Sequence, residues 1–190
     1  MLNMAYRTLP KDGERANGDA AVLRHEGDRA MLALIDGLGH GELAALAADR
    51  AVLFLRGAAL TGELLTVMQG LHEALRGTRG AAASVCLLHG NELVCCGVGN
   101  VEIRCFGSKV PILLSPGVLG ARVVQFRMCR AELAPGTRLV LFSDGISHRS
   151  PLEALRHLEP DALCEELISR HRKPSDDATV VACDLKGMTP

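Results

Sequence analysis

Between residues 82 and 107 the chain runs AASVCLLHG, ELVCCGVG and VEIRCFG, three short apolar stretches separated by turns at Gly90–Asn91 and Gly99–Asn100. Connections this short favour antiparallel neighbours, because a parallel crossover needs roughly a dozen residues or more. The middle of the chain is therefore expected to be antiparallel sheet, which argues against a fold made only of βαβ units. Further strand-like runs stand at 19–25 (DAAVLRH) and 29–35 (RAMLALI), joined at Gly27–Asp28, and at 137–145 (TRLVLFSDG) and 178–185 (ATVVACDL). Residues 110–114 and 122–131 are expected to continue the central meander.

Helices are marked by a different period. Leu43, Leu46, Ala47, Arg50, Ala51, Phe54 and Leu55 recur mostly at three- and four-residue spacing, and Gly57 loosens the run. Leu64, Met68, Leu71 and Leu75 mark a second amphipathic helix. A third is expected over 160–172, where Pro160 suits a first helical turn. The pattern predicts roughly eight to ten strands and three or four helices, an α+β fold with helices packed on sheet faces.

Composition narrows the function classes. At 190 residues the chain is the length of one domain, expected to span 1–190. A core of that size needs no disulfide or structural metal. Lys+Arg (21) and Asp+Glu (22) leave a net charge of −1, which argues against a general nucleic-acid binder. There is no apolar run of membrane-spanning length and no signal-peptide pattern at the start, so neither a membrane partner nor export is expected, and the default is cytoplasmic. The seven cysteines are odd in number, include no CxxC and sit mostly in apolar runs, so they read as reduced, buried thiols.

The chemistry concentrates where apolar strands end in acids. Asp36 closes ALIDGLGHG, Asp144 closes LVLFSDGIS, Asp176 and Asp177 precede the last strand in SDDATVVACDL, and Asp19 opens the first hairpin in NGDAAV. A strand fixes such a carboxylate, and a following glycine lets the backbone turn so that its own carbonyl can face a cation. Several carboxylates on adjacent strand ends repel unless cations sit between them. Oxygen donors of this kind suit Mg²⁺ or Mn²⁺. A single Asp–Gly is an ordinary turn, and only the recurrence argues for more. A dinucleotide site in DGLGHG fits poorly, because the GxGxxG spacing is absent. Ser143 and His148 lack the GxSxG elbow of a hydrolase nucleophile. His40 could orient a water or a phosphate, but a solvated turn residue is the simpler reading. Arg122, Arg127 and Arg130 read as a solvated strand face.

Taken in order, NGD (17–19), DGLGHG (36–41), GAAASVCLL (80–88), GVGN (97–100), SDG (143–145) and DDATVV (176–181) resemble the metal-dependent protein phosphatases of the 2C type, in their bacterial SpoIIE-like branch. The resemblance spans almost the whole chain and is strongest to small stressosome phosphatases that are bare catalytic domains. It implies a four-layer α-β-β-α sandwich, two stacked antiparallel sheets flanked by helices. It implies a serine/threonine protein phosphatase using two Mn²⁺ or Mg²⁺ ions. Asp36 would bridge the ions, the Gly37 carbonyl would hold one, Asp144 and Asp176 the other, and Asp19 would act through metal-bound water. Asp177 would be a neighbour of the site. Hydroxide formed between the ions would attack phosphorus in line, with no phosphoenzyme. The implied substrates are phosphorylated STAS-domain proteins of a stressosome-like complex, and a monomer is expected.

The chain departs from the family pattern at two positions. Asn100 and His148 stand where many relatives carry aspartates that help hold a third ion. The phosphate-binding arginine of eukaryotic members has only Arg7 and Arg15 as weak counterparts. Two other functions remain open on sequence: dephosphorylation of an anti-sigma-factor antagonist, and a non-catalytic binding module on the same fold. Rates on the two phosphoprotein classes separate the first, and Mn²⁺ binding separates the second.

Overall fold

The computed structural model describes residues 2–186. The chain begins with strand β1 (Leu2–Leu9), the hairpin β2 (Asp19–Glu26) and β3 (Arg29–Gly37), and helices α1 (Glu42–Gly57) and α2 (Leu64–Ala74). Strands β4 (Ala81–His89), β5 (Glu92–Val98) and β6 (Glu102–Phe106) follow, then the short β7 (Gly117–Val118), β8 (Arg122–Val123) and β9 (Cys129–Glu132). Strand β10 (Arg138–Phe142), helix α3 (Pro160–His171) and β11 (Ala178–Leu185) complete it.

The strands form a five-stranded sheet, β2-β3-β4-β5-β9, and a four-stranded sheet, β1-β11-β10-β6, with β7-β8 as a separate hairpin. Every pairing within the two sheets is antiparallel. Alternation along each strand sorts side chains into layers. On β3, Met31, Ala33 and Ile35 pack with α1 and α2, while Ala30, Leu32 and Leu34 face the other sheet. On β11, Val181, Cys183 and Leu185 meet them from across the sandwich, while Val180 and Ala182 pack under α3. The result is α-β-β-α, as the resemblance implied. All seven cysteines are free thiols and six are buried.

The structure corrects the sequence reading in three places. The central meander breaks after β5, because β6 pairs with β10 in the opposite sheet. Residues 99–101 can span about 10 Å when extended, close to the spacing of packed sheets, so a short link can jump layers as well as turn back. Residues 110–114 form no strand; Ser115 instead bonds across to Gly97 and Gly99 beside β5. Strand β1 was not anticipated. It lies at a sheet edge and is mostly half-buried, so MLNMAYRTL lacks a clear alternation.

Candidate metal centre

The hairpin register sets Asp19 directly opposite Asp36, one at the start of β2 and the other near the end of β3. Asp144 follows the end of β10, and Asp176 precedes β11. Because β10 and β11 are antiparallel neighbours, both residues emerge at one end of their sheet. The sandwich brings that end against Asp19 and Asp36, and all the carboxylates feel one another. Asp36 is pushed up to about 8, first by burial and then by Asp19, Asp144, Asp176 and Asp177. Asp19, 5% exposed, is pushed up to about 7, mainly by burial and against the pull of a Ser143 hydrogen bond. Asp176 is raised by burial and by Asp144.

Glycine is required at two points of close approach. A Cβ on Gly37 would lie 2.4 Å from the Ala44 carbonyl oxygen and 2.9 Å from that of Gly18. On Gly145 it would lie 1.8 Å from the Asp177 carbonyl oxygen. These contacts explain the glycine after each strand-end aspartate: the β3 end passes against α1, and the SDG turn lies on the 176–178 backbone.

Residues around the cluster hold this arrangement. The Ser143 hydroxyl donates to Asp19 Oδ2 at 2.5 Å and accepts from the Thr179 N–H at 3.0 Å. Its signal was in the pattern. Leu139 and Leu141 face inward on β10, so the next alternate residue, Ser143, is a polar side chain at an inward position. Asp177 accepts from the backbone N–H groups of Lys11 (2.8 Å) and Gly18 (2.9 Å), tying the 10–18 loop to β11. Asn100 Nδ2 donates to Asp144 Oδ2 at 2.6 Å, and Lys173 Nζ donates to the Asp144 carbonyl at 2.5 Å. His40 is no bare turn residue: Nδ1 meets Glu14 Oε1 at 2.5 Å, and Nε2 meets Lys11 Nζ at 3.1 Å. His148 contacts Glu102 at 3.3 Å. Arg7 pairs with Asp161 and Glu165 on α3, which commits its guanidinium to that helix. Arg15, Arg122, Arg127 and Arg130 are exposed.

The donor set suits a hard cation. It is all oxygen, rich in carboxylate and packed against a backbone that only glycine permits. Among the described residues no three His, Cys, Asp or Glu side chains form a ready-made cage. Mg²⁺ usually keeps several waters and takes only one or two carboxylates, so a closed cage is not what it needs.

Comparison with known proteins gives the family and the fold. The family model for stage II sporulation protein E (SpoIIE) matches residues 26–186. The chain belongs to the SpoIIE family of metal-dependent protein phosphatases. Within reach of this SpoIIE-family chain is phosphoserine phosphatase RsbX of Bacillus subtilis (strain 168), 24% identical over 186 residues, covering 93% of this chain and 92% of RsbX. A solved structure described under the bacterial stressosome, a modular system adapted to control secondary messenger signaling, superposes with a TM-score of 0.90 at 30% identity, covering 96% of this chain and 99% of that one. RsbX in complex with magnesium superposes with a TM-score of 0.86 at 21% identity, covering 97% and 96%. The chain is a metal-dependent serine/threonine protein phosphatase, and its relatives point to a divalent metal as cofactor.

Proposed function

We propose that this phosphatase dephosphorylates STAS-domain proteins of a stressosome-like signalling complex, resetting them after kinase action. In this reading residues 1–190 are one catalytic domain, working as a monomer in the cytoplasm. Support comes from the phosphoserine phosphatase RsbX and from the stressosome relative. Among the described residues no helix is long and apolar enough to cross a membrane.

One observation carries the mechanism: Asp19, Asp36, Asp144 and Asp176 lie close enough that burial and mutual repulsion raise three of them. Asp36, Asp144 and Asp176, with the Gly37 carbonyl and Asp19, would hold two Mn²⁺ or Mg²⁺ ions. When bound, such ions supply a water that loses its proton near neutral pH and offset charge on the phosphoryl oxygens. Ser143 holds Asp19 in one rotamer, and Asn100 does the same for Asp144. Asp177 keeps the 10–18 loop closed on the centre. The Lys173 and Lys11 ammonium groups add positive charge at the rim, which favours approach of a phosphomonoester dianion.

The test is hydrolysis of an aryl phosphate with Mn²⁺, Mg²⁺ or EDTA, beside the Asp36→Asn protein. Metal-dependent turnover in the wild type and a loss of at least about a hundredfold in the variant, with an unchanged melt, is the expected result. Full turnover by Asp36→Asn would refute the assignment.

A further inference from the structure

Strand β6 ends the four-stranded sheet, so β10 pairs with one of its edges and, among the described residues, no strand pairs with the other. Beyond the open edge the chain leaves β6, runs through 108–114 without regular structure, and joins the other sheet through Ser115. Between them lies a groove of about 710 Å³. One wall is β6 itself, Glu102 to Cys105; the other includes Lys109, Val110, Pro111, Ile112 and Leu114.

The groove reaches the metal centre. Glu102 pairs with Phe142, the last residue of β10 and two before Asp144. Asn100, two residues before Glu102, bonds Asp144 directly. His148, four residues after Asp144, contacts Glu102. A chain laid along β6 would therefore arrive at the carboxylate cluster at its Glu102 end.

We propose that this groove is the docking site for an extended segment of the phosphoprotein substrate, which adds as a strand to the open edge of β6 and places its phosphorylated residue at the Glu102 end. This deepens the phosphatase reading and rests on it. An unpaired strand edge offers backbone donors and acceptors that only another extended backbone can match. Five residues of β6 span about 16 Å, so the segment is about five residues long. Its alternate side chains enter the apolar wall of Val110, Pro111, Ile112 and Leu114. Glu102 and Arg104 offset each other at 2.7 Å, so the charge left to the groove is that of Lys109, which suits a phosphorylated, acidic segment.

The test compares three substrates at saturating Mn²⁺: an aryl phosphate, a phosphoserine peptide with five residues on each side, and the same peptide N-methylated at alternate backbone amides. The free-amide peptide should exceed the N-methylated one in kcat/KM by about tenfold, the size expected from one or two net backbone hydrogen bonds. Val110→Glu and the exposed-site variant Lys109→Glu should each remove most of that advantage while leaving aryl phosphate turnover within about twofold. Equal rates for the two peptides, with aryl phosphate turnover intact, would overturn strand addition and leave the phosphatase reading standing. Loss of aryl phosphate turnover in the wild type would overturn both. If Val110→Glu melts early, Lys109→Glu and the N-methylated peptide still decide the matter.

Discussion

Replacing Ser143 by alanine should destabilise the protein in a way that depends on pH. The hydroxyl is fully buried, donates to Asp19 at 2.5 Å and accepts from the Thr179 N–H at 3.0 Å. A hydrogen bond to a charged group contributes about 1.5–3 kcal/mol, and an orphaned buried N–H costs about 1–3 kcal/mol. Allowing for local relaxation, the loss should be about 3 kcal/mol when Asp19 is ionised. When Asp19 is protonated the charge assistance disappears, and about 1–2 kcal/mol should remain, mostly from Thr179. The Ser143 bond lowers the Asp19 pKa, and burial still holds it up at about 7. The difference between wild type and variant should therefore grow as pH rises through that value. The assay is urea unfolding in EDTA at about pH 5.5 and about pH 8.5, with unchanged m-values. A double-mutant cycle with Asp19→Asn should assign most of the pH-dependent part to this pair. A loss below about 1 kcal/mol at both pH values, or one that shrinks as pH rises, would refute the reasoning.

Other consequences are as direct. Gly145→Ala forces a Cβ to 1.8 Å from the Asp177 carbonyl oxygen, so it should cost about 3 kcal/mol or more and reduce soluble yield, read by chemical denaturation. Asp19 and Asp36 have folded pKa values of about 7 and about 8, above their ordinary 3.8. The folded chain thus holds these protons more tightly than the unfolded one, and stability in EDTA should fall as pH rises from near 4 through about 8; millimolar Mn²⁺ should reverse the fall, as thermal melts would show. Arg138 bonds Asp184 through two nitrogens at 2.6 Å, with both side chains mostly buried. Arg138→Met should cost about 3 kcal/mol by stranding Asp184, and adding Asp184→Leu should recover much of it.

The stretch 64–75 was legible as a helix because Leu64, Met68, Leu71 and Leu75 are the stripe it buries, and that stripe is local information. The first helix was legible too, but the face it buries is Ala44, Ala47, Ala48, Ala51 and Leu55, and the expected Leu43 and Leu46 are exposed. The hairpin of β2 and β3 was legible for the same kind of reason. Its short turn sets the register that opposes Asp19 and Asp36. The strand-end aspartates of Asp36, Asp144 and Asp176 were legible because each stands at a chemical discontinuity, an acid closing or opening an apolar run. Strand β1 escaped notice because an edge strand has no fully buried face to enforce alternation. The destination of β6 escaped because a three-residue link serves a turn or a layer change equally well.

The sequence by itself determined the strand and helix periods, the antiparallel class and the identity of the acidic groups, all properties of neighbouring residues. Tertiary structure decided which strand ends meet. The Ser143–Asp19 bond joins residues 124 positions apart, the Asp177–Gly18 bond 159 and the Asn100–Asp144 bond 44. No local pattern encodes such pairs. Their partners are selected when two sheets stack, and it is the burial and mutual repulsion this brings, not the presence of any one aspartate, that raises Asp36 so far above an ordinary carboxylate.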